Sequence, residues 1–171
     1  TVPICREEIL LIVPDEVIHK AYPDRFEEIK KKLYQSADVR LLENCPFVLL
    51  KKGNRVRTIA DELFEDTQIT PHIVLETENI ETVLALSVQG MGITFYPRMF
   101  MSSKQNLKAY HDSLMKQAGL NLFSLNYPRA HGTLAIGYHK GHYMSRATHE
   151  FIRTALEHIP SAAGLPLNTD V

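Results

Sequence analysis

Residues 81–97 read ETVLALSVQGMGITFYP: an apolar helical run, two glycines one residue apart, and a short apolar strand stopped by Pro97. Asn79 can cap the helix, which carries Ile80, Val83, Leu84 and Val88. Gly90 is placed to end it in a left-handed conformation, and Gly92 to let the chain turn closely into the strand Ile93–Tyr96. Gly90-Met91-Gly92 does not fit the dinucleotide or phosphate-loop patterns, and it follows a helix rather than a strand. The stretch therefore predicts a helix brought down onto a sheet with little side chain between them.

Working outward, Phe47–Leu50 reads as a buried strand and Lys51–Asn54 as the turn leaving it. Asn54 caps a helix striped by Val56, Ile59, Ala60, Leu63 and Phe64. His72–Leu75 alternates as a strand, with Ile73 and Leu75 on one side. Upstream, EILLIVP at residues 8–14 has strand length, and Phe26–Tyr34 spaces Phe26, Ile29, Leu33 and Tyr34 as a short amphipathic helix with Lys30, Lys31 and Lys32 on its exposed side. This alternation of strands and helices through short links predicts an α/β layer with a largely parallel sheet.

Downstream of Pro97, Ser102 or Ser103 opens an expected helix through Leu107, Tyr110, Leu114 and Met115 that Gly119 ends. Leu122–Leu125 and Leu134–Tyr138 follow as strands. Ser145 caps a last helix with Ala147, Phe151, Ile152, Ala155, Leu156 and Ile159 on its buried side. In open α/β sheets small molecules bind beyond the carboxyl ends of strands, marked here by Leu50, Leu75 and Tyr96.

With 171 residues, 44% hydrophobic and 23% charged, the chain can bury a sizeable core, and a formal net charge of −1 gives it no footprint for a polyanion. Cys5 and Cys45 are too few for a disulfide framework, which favours a reducing compartment and a cytoplasmic setting, with Cys45 as a small core residue. No apolar run is long enough to span a membrane. His131, His139, His142 and His149 lack zinc-site spacing, and Ser87 lies in a helix without a nucleophile elbow. No enzyme, metal or cofactor is expected.

PFVLLKKGNRVRTIADELFEDTQITPHIVLETENIETVLALSVQGMGITFYP, from Pro46 to Pro97, resembles the effector-binding domain of LysR-type transcriptional regulators. What carries the resemblance is the order of a Pro-Phe strand, a basic-Gly turn, a helix, a Pro-led strand, a glutamate-led helix and a Gly-x-Gly-Ile strand ending in proline. REEILLIVP at residues 6–14 looks like the family's crossing strand from the first lobe, and Leu134–Ile159 like its return strand and closing helix. The helix-like segments Phe26–Tyr34 and Ser102–Gln117 are longer than the family's usual loops.

The resemblance implies a two-lobe, periplasmic-binding-protein-like (type 2) α/β fold with Rossmann-like lobes. Residues 1–14 and 126–160 would form a first-lobe portion with the crossing strands, 15–125 the second lobe, and 161–171 a tail. The opening part of the first lobe, the winged helix-turn-helix reader and the linker helix would precede Thr1, so the chain is expected to be part of a longer protein.

By the same resemblance a small-molecule effector lies between the lobes against Pro46, Phe47, Gly92, Ile93 and Thr94, with Arg98, Tyr127 and Arg129 as further candidates. It also implies a homodimer, a tetramer in the full-length protein, DNA contact only through the upstream reader, and no membrane partner. A solute-binding protein for uptake is the alternative on the same architecture, and an upstream secretory segment would mark it.

Overall fold

The computed structural model describes residues 1–102, 119–139, 141 and 143–163. Strand β1 (Val2–Pro14) is the spine. Its second half is buried from Ile9 to Pro14 and lies between β4 (Thr94–Pro97) and β5 (Leu120–Ser124). Both neighbours run antiparallel to it, with Ile9 opposite Pro97, Ile12 opposite Thr94, and Pro14 opposite Leu120. Strands β2 (Pro46–Leu50) and β3 (His72–Thr77) pair in parallel, and a parallel bridge from Phe47 to Ile93 joins β2 to the start of β4. The order across the layer is thus β3-β2-β4-β1-β5.

The sheet is mixed rather than largely parallel. The apolar run of β1 shows that the strand is buried but carries no sign of its direction, and the chain enters the layer from the end opposite to β2 and β4. Strand β1 is also longer than EILLIVP, because Val2–Glu8 pairs antiparallel with β6 (His131–Ile136), with a shift in register between Pro3 and Cys5. Strand β6 begins three residues before the predicted Leu134, since His131 and Thr133 sit on ladder positions with exposed side chains, and β5 begins two before Leu122, with Leu120 and Asn121 both buried.

The helices follow their caps. Asp15–Ala21 is α1, Phe26–Ser36 is α2, Arg55–Thr67 is α3, Ile80–Val88 is α4, Arg98–Ser102 is α5 and Arg146–Ala163 is α6. Asn54 Oδ1 accepts from the Val56 amide, Asn79 Oδ1 from those of Glu81 and Thr82, and Ser145 Oγ from that of Thr148. Helix α1 carries too short an apolar pattern to be read in advance, with Val17 and Ile18 as its buried residues. In α2, Lys30 is not simply solvated: Nζ bonds Asp15 Oδ2 at 2.8 Å and sits 5.3 Å over the Phe26 ring. The expected helix after Ser103 lies outside the described residues.

The main core gathers Leu11, Val13, Ile18, Leu33, Phe47 and Phe95 with the stripe of α3. A smaller cluster, Ile4 and Cys5 with Met99, Ile136 and Ile159, ties α6 to the first half of β1. Only a narrow seam of α6 is covered: Ala155 is buried, whereas Phe151 is 64% and Leu156 40% exposed, contrary to their predicted place on the buried side.

Gly92 answers the question its sequence poses. A Cβ there would lie 2.9 Å from the Pro46 carbonyl oxygen and 3.1 Å from Val48 Cγ2. That space is taken by the approach of β4 to β2, in which the Ile93 N–H donates to Pro46 O at 2.8 Å and the Val48 N–H to Ile93 O at 2.9 Å. Ser87 Oγ closes the corner by donating to Gly92 O at 2.8 Å. Gly90 has φ +71°, the left-handed helix stop read from the sequence.

Candidate functional site

Strands β2 and β4 both end at the same side of the layer, β2 at Leu50 and β4 at Pro97. Beyond Leu50, Gly53 takes φ +96° and the chain turns at once into α3, so Arg55 and Val56 stand at that rim. The paired strands β1 and β6 cross in front of it. A recess of about 370 Å³ opens where the three meet, with Ile9, Val56, Pro97 and Phe100 as apolar walls and Glu7, Arg55 and Thr133 as polar ones. Volumes of this order suit a small molecule.

Two further recesses adjoin it. One of about 440 Å³ shares Arg55 and reaches Glu62, Arg129 and His131, and one of about 530 Å³ shares Glu7 and Thr133 and reaches Arg6 and Glu8. Arg55 stands between the first two. Its guanidinium passes over Gly132, where a Cβ would lie 3.0 Å from Nη2.

The charges around the recess are mostly matched. Arg98 Nε lies 2.5 Å from Glu8 Oε2, Glu8 also accepts from the Ser124 hydroxyl, and Arg129 pairs with Glu62. Buried Arg57 donates to Leu50 O at 2.8 Å, to Asp61 at 2.7 Å and to Glu76, anchoring the first turn of α3 to β2 and β3. Arg55 makes no ion pair among the described residues.

Burial pushes the Glu7 carboxyl above the ordinary carboxylate range, against the lowering pull of the Glu8 and Met99 amides and the Arg55 charge. The folded state therefore holds the Glu7 proton more tightly than the unfolded chain. Stability from this group is present below the ordinary carboxylate pKa and is lost as pH rises through the raised one. Thermal melts of wild type and Glu7→Gln are expected to converge in acid and to separate toward neutral pH, with the variant gaining. A difference independent of pH would contradict this.

The five residues taken from the resemblance come together, but as packing. Phe47 and Ile93 are fully buried, Thr94 is 1% exposed opposite Ile12, and Pro46 and Gly92 lie at the amino end of the β2–β4 contact, away from Leu50 and Pro97. None of the five lines the recess. Of the other candidates, Arg98 is engaged by Glu8, Arg129 lines the 440 Å³ recess beside Glu62, and the Tyr127 hydroxyl donates to Asp66 at 2.7 Å around a separate hollow.

Glu7, Arg55 and Thr133, which line the recess, are not among the residues the resemblance implies. For Arg55 the sequence carries a signal, since it opens the helix that follows the strand ending at Leu50. Among the described residues no three metal-binding side chains cluster, and no helix is long and apolar enough to cross a membrane.

The fold is similar to that of the QuiR effector-binding domain solved with shikimate, at 20% identity and a TM-score of 0.59, covering 91% of this chain and 63% of that one. It is also similar to the regulatory domain of CcmR from Synechocystis PCC6803 solved with 2-PG, at 14% identity and a TM-score of 0.61, covering 91% of this chain and 64% of that one. In sequence it is 29% identical over 112 residues to the uncharacterized HTH-type transcriptional regulator YybE of Bacillus subtilis, covering 66% of this chain and 34% of the relative. A second B. subtilis regulator of that description, YcgK, is 29% identical over 108 residues, covering 60% of this chain and 33% of the relative. The chain thus spans about a third of the length of the curated relatives it matches. The LysR substrate binding domain model matches residues 1–160, and the chain belongs to that family.

Proposed function

We propose that this chain is the effector-sensing part of a transcriptional regulator, and that it takes a small molecule in the recess between α3, Pro97 and the crossing strands. The observation that carries this reading is the recess itself: it lies where the second lobe meets the strands that lead out of it, so a ligand there touches both. Such a ligand shifts the balance between arrangements of the lobes by its differential contacts, sensing rather than converting its ligand.

Pro46, Phe47, Gly92, Ile93 and Thr94 serve the site from beneath, by fixing β2 against β4 and so holding Leu50 and Pro97 at the rim. The full-length protein works as a homodimer, or a tetramer, in the cytoplasm, and meets DNA through a winged helix-turn-helix upstream. The description of both B. subtilis relatives as HTH-type regulators favours this over solute uptake.

Amide hydrogen exchange on the full-length protein during a metabolite screen tests the reading. A binder is expected to slow exchange in residues 5–9, 54–58, 97–100 and 131–135 together. Protection confined to other segments would move the site elsewhere.

A further inference from the structure

Strand β1 serves two ladders, and the change of partner falls at one residue. Val2–Glu8 runs beside β6, with Glu8 opposite His131, whereas Ile9 pairs with Pro97 on β4 and Leu10 with Ser124 on β5. The backbone of Glu8 is thus the last step of the β1–β6 arm. Its side chain reaches the other way: Oε2 lies 2.5 Å from Arg98 Nε, and Oε1 accepts from the Ser124 hydroxyl. Arg98 follows the last residue of β4 and Ser124 is the last of β5, so one carboxylate ties the ends of both neighbours to the point where β1 leaves them.

The contact is sheltered. The Glu8 side chain is 12% exposed, and Arg98 Nε is closed off from solvent. Side chains alternate along a strand, and Glu7 and Ile9 line the 370 Å³ recess while Glu8 does not, so the carboxylate faces away from it.

Other ties at this joint leave the angle of the arm free. Met99, next to Arg98, packs with Ile4, Cys5, Ile136 and Ile159 of the arm and α6. Hydrophobic contact of that kind is non-directional. A carboxylate held by two donors from two different elements is directional, and hinges are commonly a few residues at element ends.

We propose that Glu8 is a clasp that sets the angle between the β1–β6 arm and the β4–β1–β5 layer, with Arg98 and Ser124 as its anchors, and that the arm swings when it opens. Arg98 is then a positioning residue rather than a ligand residue. This goes beyond the effector reading, because the resting angle of the arm needs no ligand.

The test is the distance between two nitroxide labels in the full-length protein, measured by double electron–electron resonance. One label stands on α2 at Lys31→Cys and one on α6 at Arg146→Cys, both exposed positions. Cys5 and Cys45 are buried, and other exposed cysteines of the full-length protein are changed to serine. Dilution into unlabelled protein keeps the readout within one chain. Glu8→Gln and Arg98→Gln are each expected to raise the population at a second distance about tenfold, the scale of one hydrogen bond to a charged group. Arg98→Lys, which keeps the charge, should stay nearer to wild type, and Ser124→Ala should give a smaller rise.

A second pair of labels at Lys31→Cys and Lys52→Cys, both outside the arm, should keep its distance in every variant. An unchanged arm distance in folded Glu8→Gln or Arg98→Gln would overturn the clasp. So would an equal change in the second pair, which would mean a general loosening. If Glu8→Gln does not fold, Ser124→Ala decides, since it alters only an exposed hydroxyl: a wild-type distribution there would overturn the proposal. Its failure would leave the recess standing as the ligand site, which the amide exchange experiment tests separately.

Discussion

Phe47→Ala is expected to lower the unfolding free energy by about 3–5 kcal/mol, the range for truncating a fully buried aromatic. The ring is 0% exposed. It meets Phe64 edge-on with centroids 5.1 Å apart and lies nearly parallel to Phe95 at 6.5 Å, while Phe64 and Phe95 meet at 5.7 Å. Removing it opens a hole among residues supplied by β2, α3 and β4, none of which can close it without moving the sheet. Urea denaturation of the unliganded protein measures the effect. A loss below about 1 kcal/mol would mean that the ring is not part of this cluster and would return it to the ligand-facing role implied by the family resemblance.

Arg57→Ala is the second large effect, expected at about 2–3 kcal/mol. The guanidinium sits on a residue only 4% exposed and makes three contacts, of which the one to Leu50 O is buried. Breaking a buried ion pair costs about 3–5 kcal/mol when the partner is left without water. Here Asp61 and Glu76 are 41% and 43% exposed and stay hydrated, which brings the expected loss below that range. The Leu50 carbonyl loses its donor, and the stem of Arg57 leaves its packing.

The same substitution should loosen the first turn of α3, raising amide exchange in residues 55–60. Its pH dependence has a definite sign. The Arg57 hydrogen bond and charge hold the Glu76 carboxyl below its ordinary range, so the stability this gives is present above the ordinary carboxylate pKa and is lost as pH falls through the lowered one. The gap between wild type and Arg57→Ala should therefore narrow in acid. A gap constant from neutral pH to pH ~3 would leave packing as the whole cause.

Much of the local structure could be read directly. Asn54, Asn79 and Ser145 cap helices as their positions suggested, because a cap is a contact between residues two or three apart. The stripe of α3 and the alternation of His72–Leu75 are equally local, and the glycine pair at 90 and 92 announced both a left-handed stop and a close approach. The side of the layer that holds the recess is half visible too, since the strands expected to end at Leu50 and Tyr96 end at Leu50 and Pro97.

What stayed hidden depends on residues far apart in the chain. The direction of β1 is set by ladders that put Ile12 opposite Thr94 and Val13 opposite Asn121, and an apolar run reads the same in either direction. Which charges pair is hidden in the same way: Arg98 finds Glu8, Arg129 finds Glu62, and Arg55 lies over Gly132. The sequence by itself determined most of the elements, the glycine corner and the family, because these rest on periodicity and short spacings. Only the tertiary structure decided the strand directions and the pairing of charges, because hydrogen-bond ladders and ion pairs act over a few ångströms in space regardless of distance along the chain.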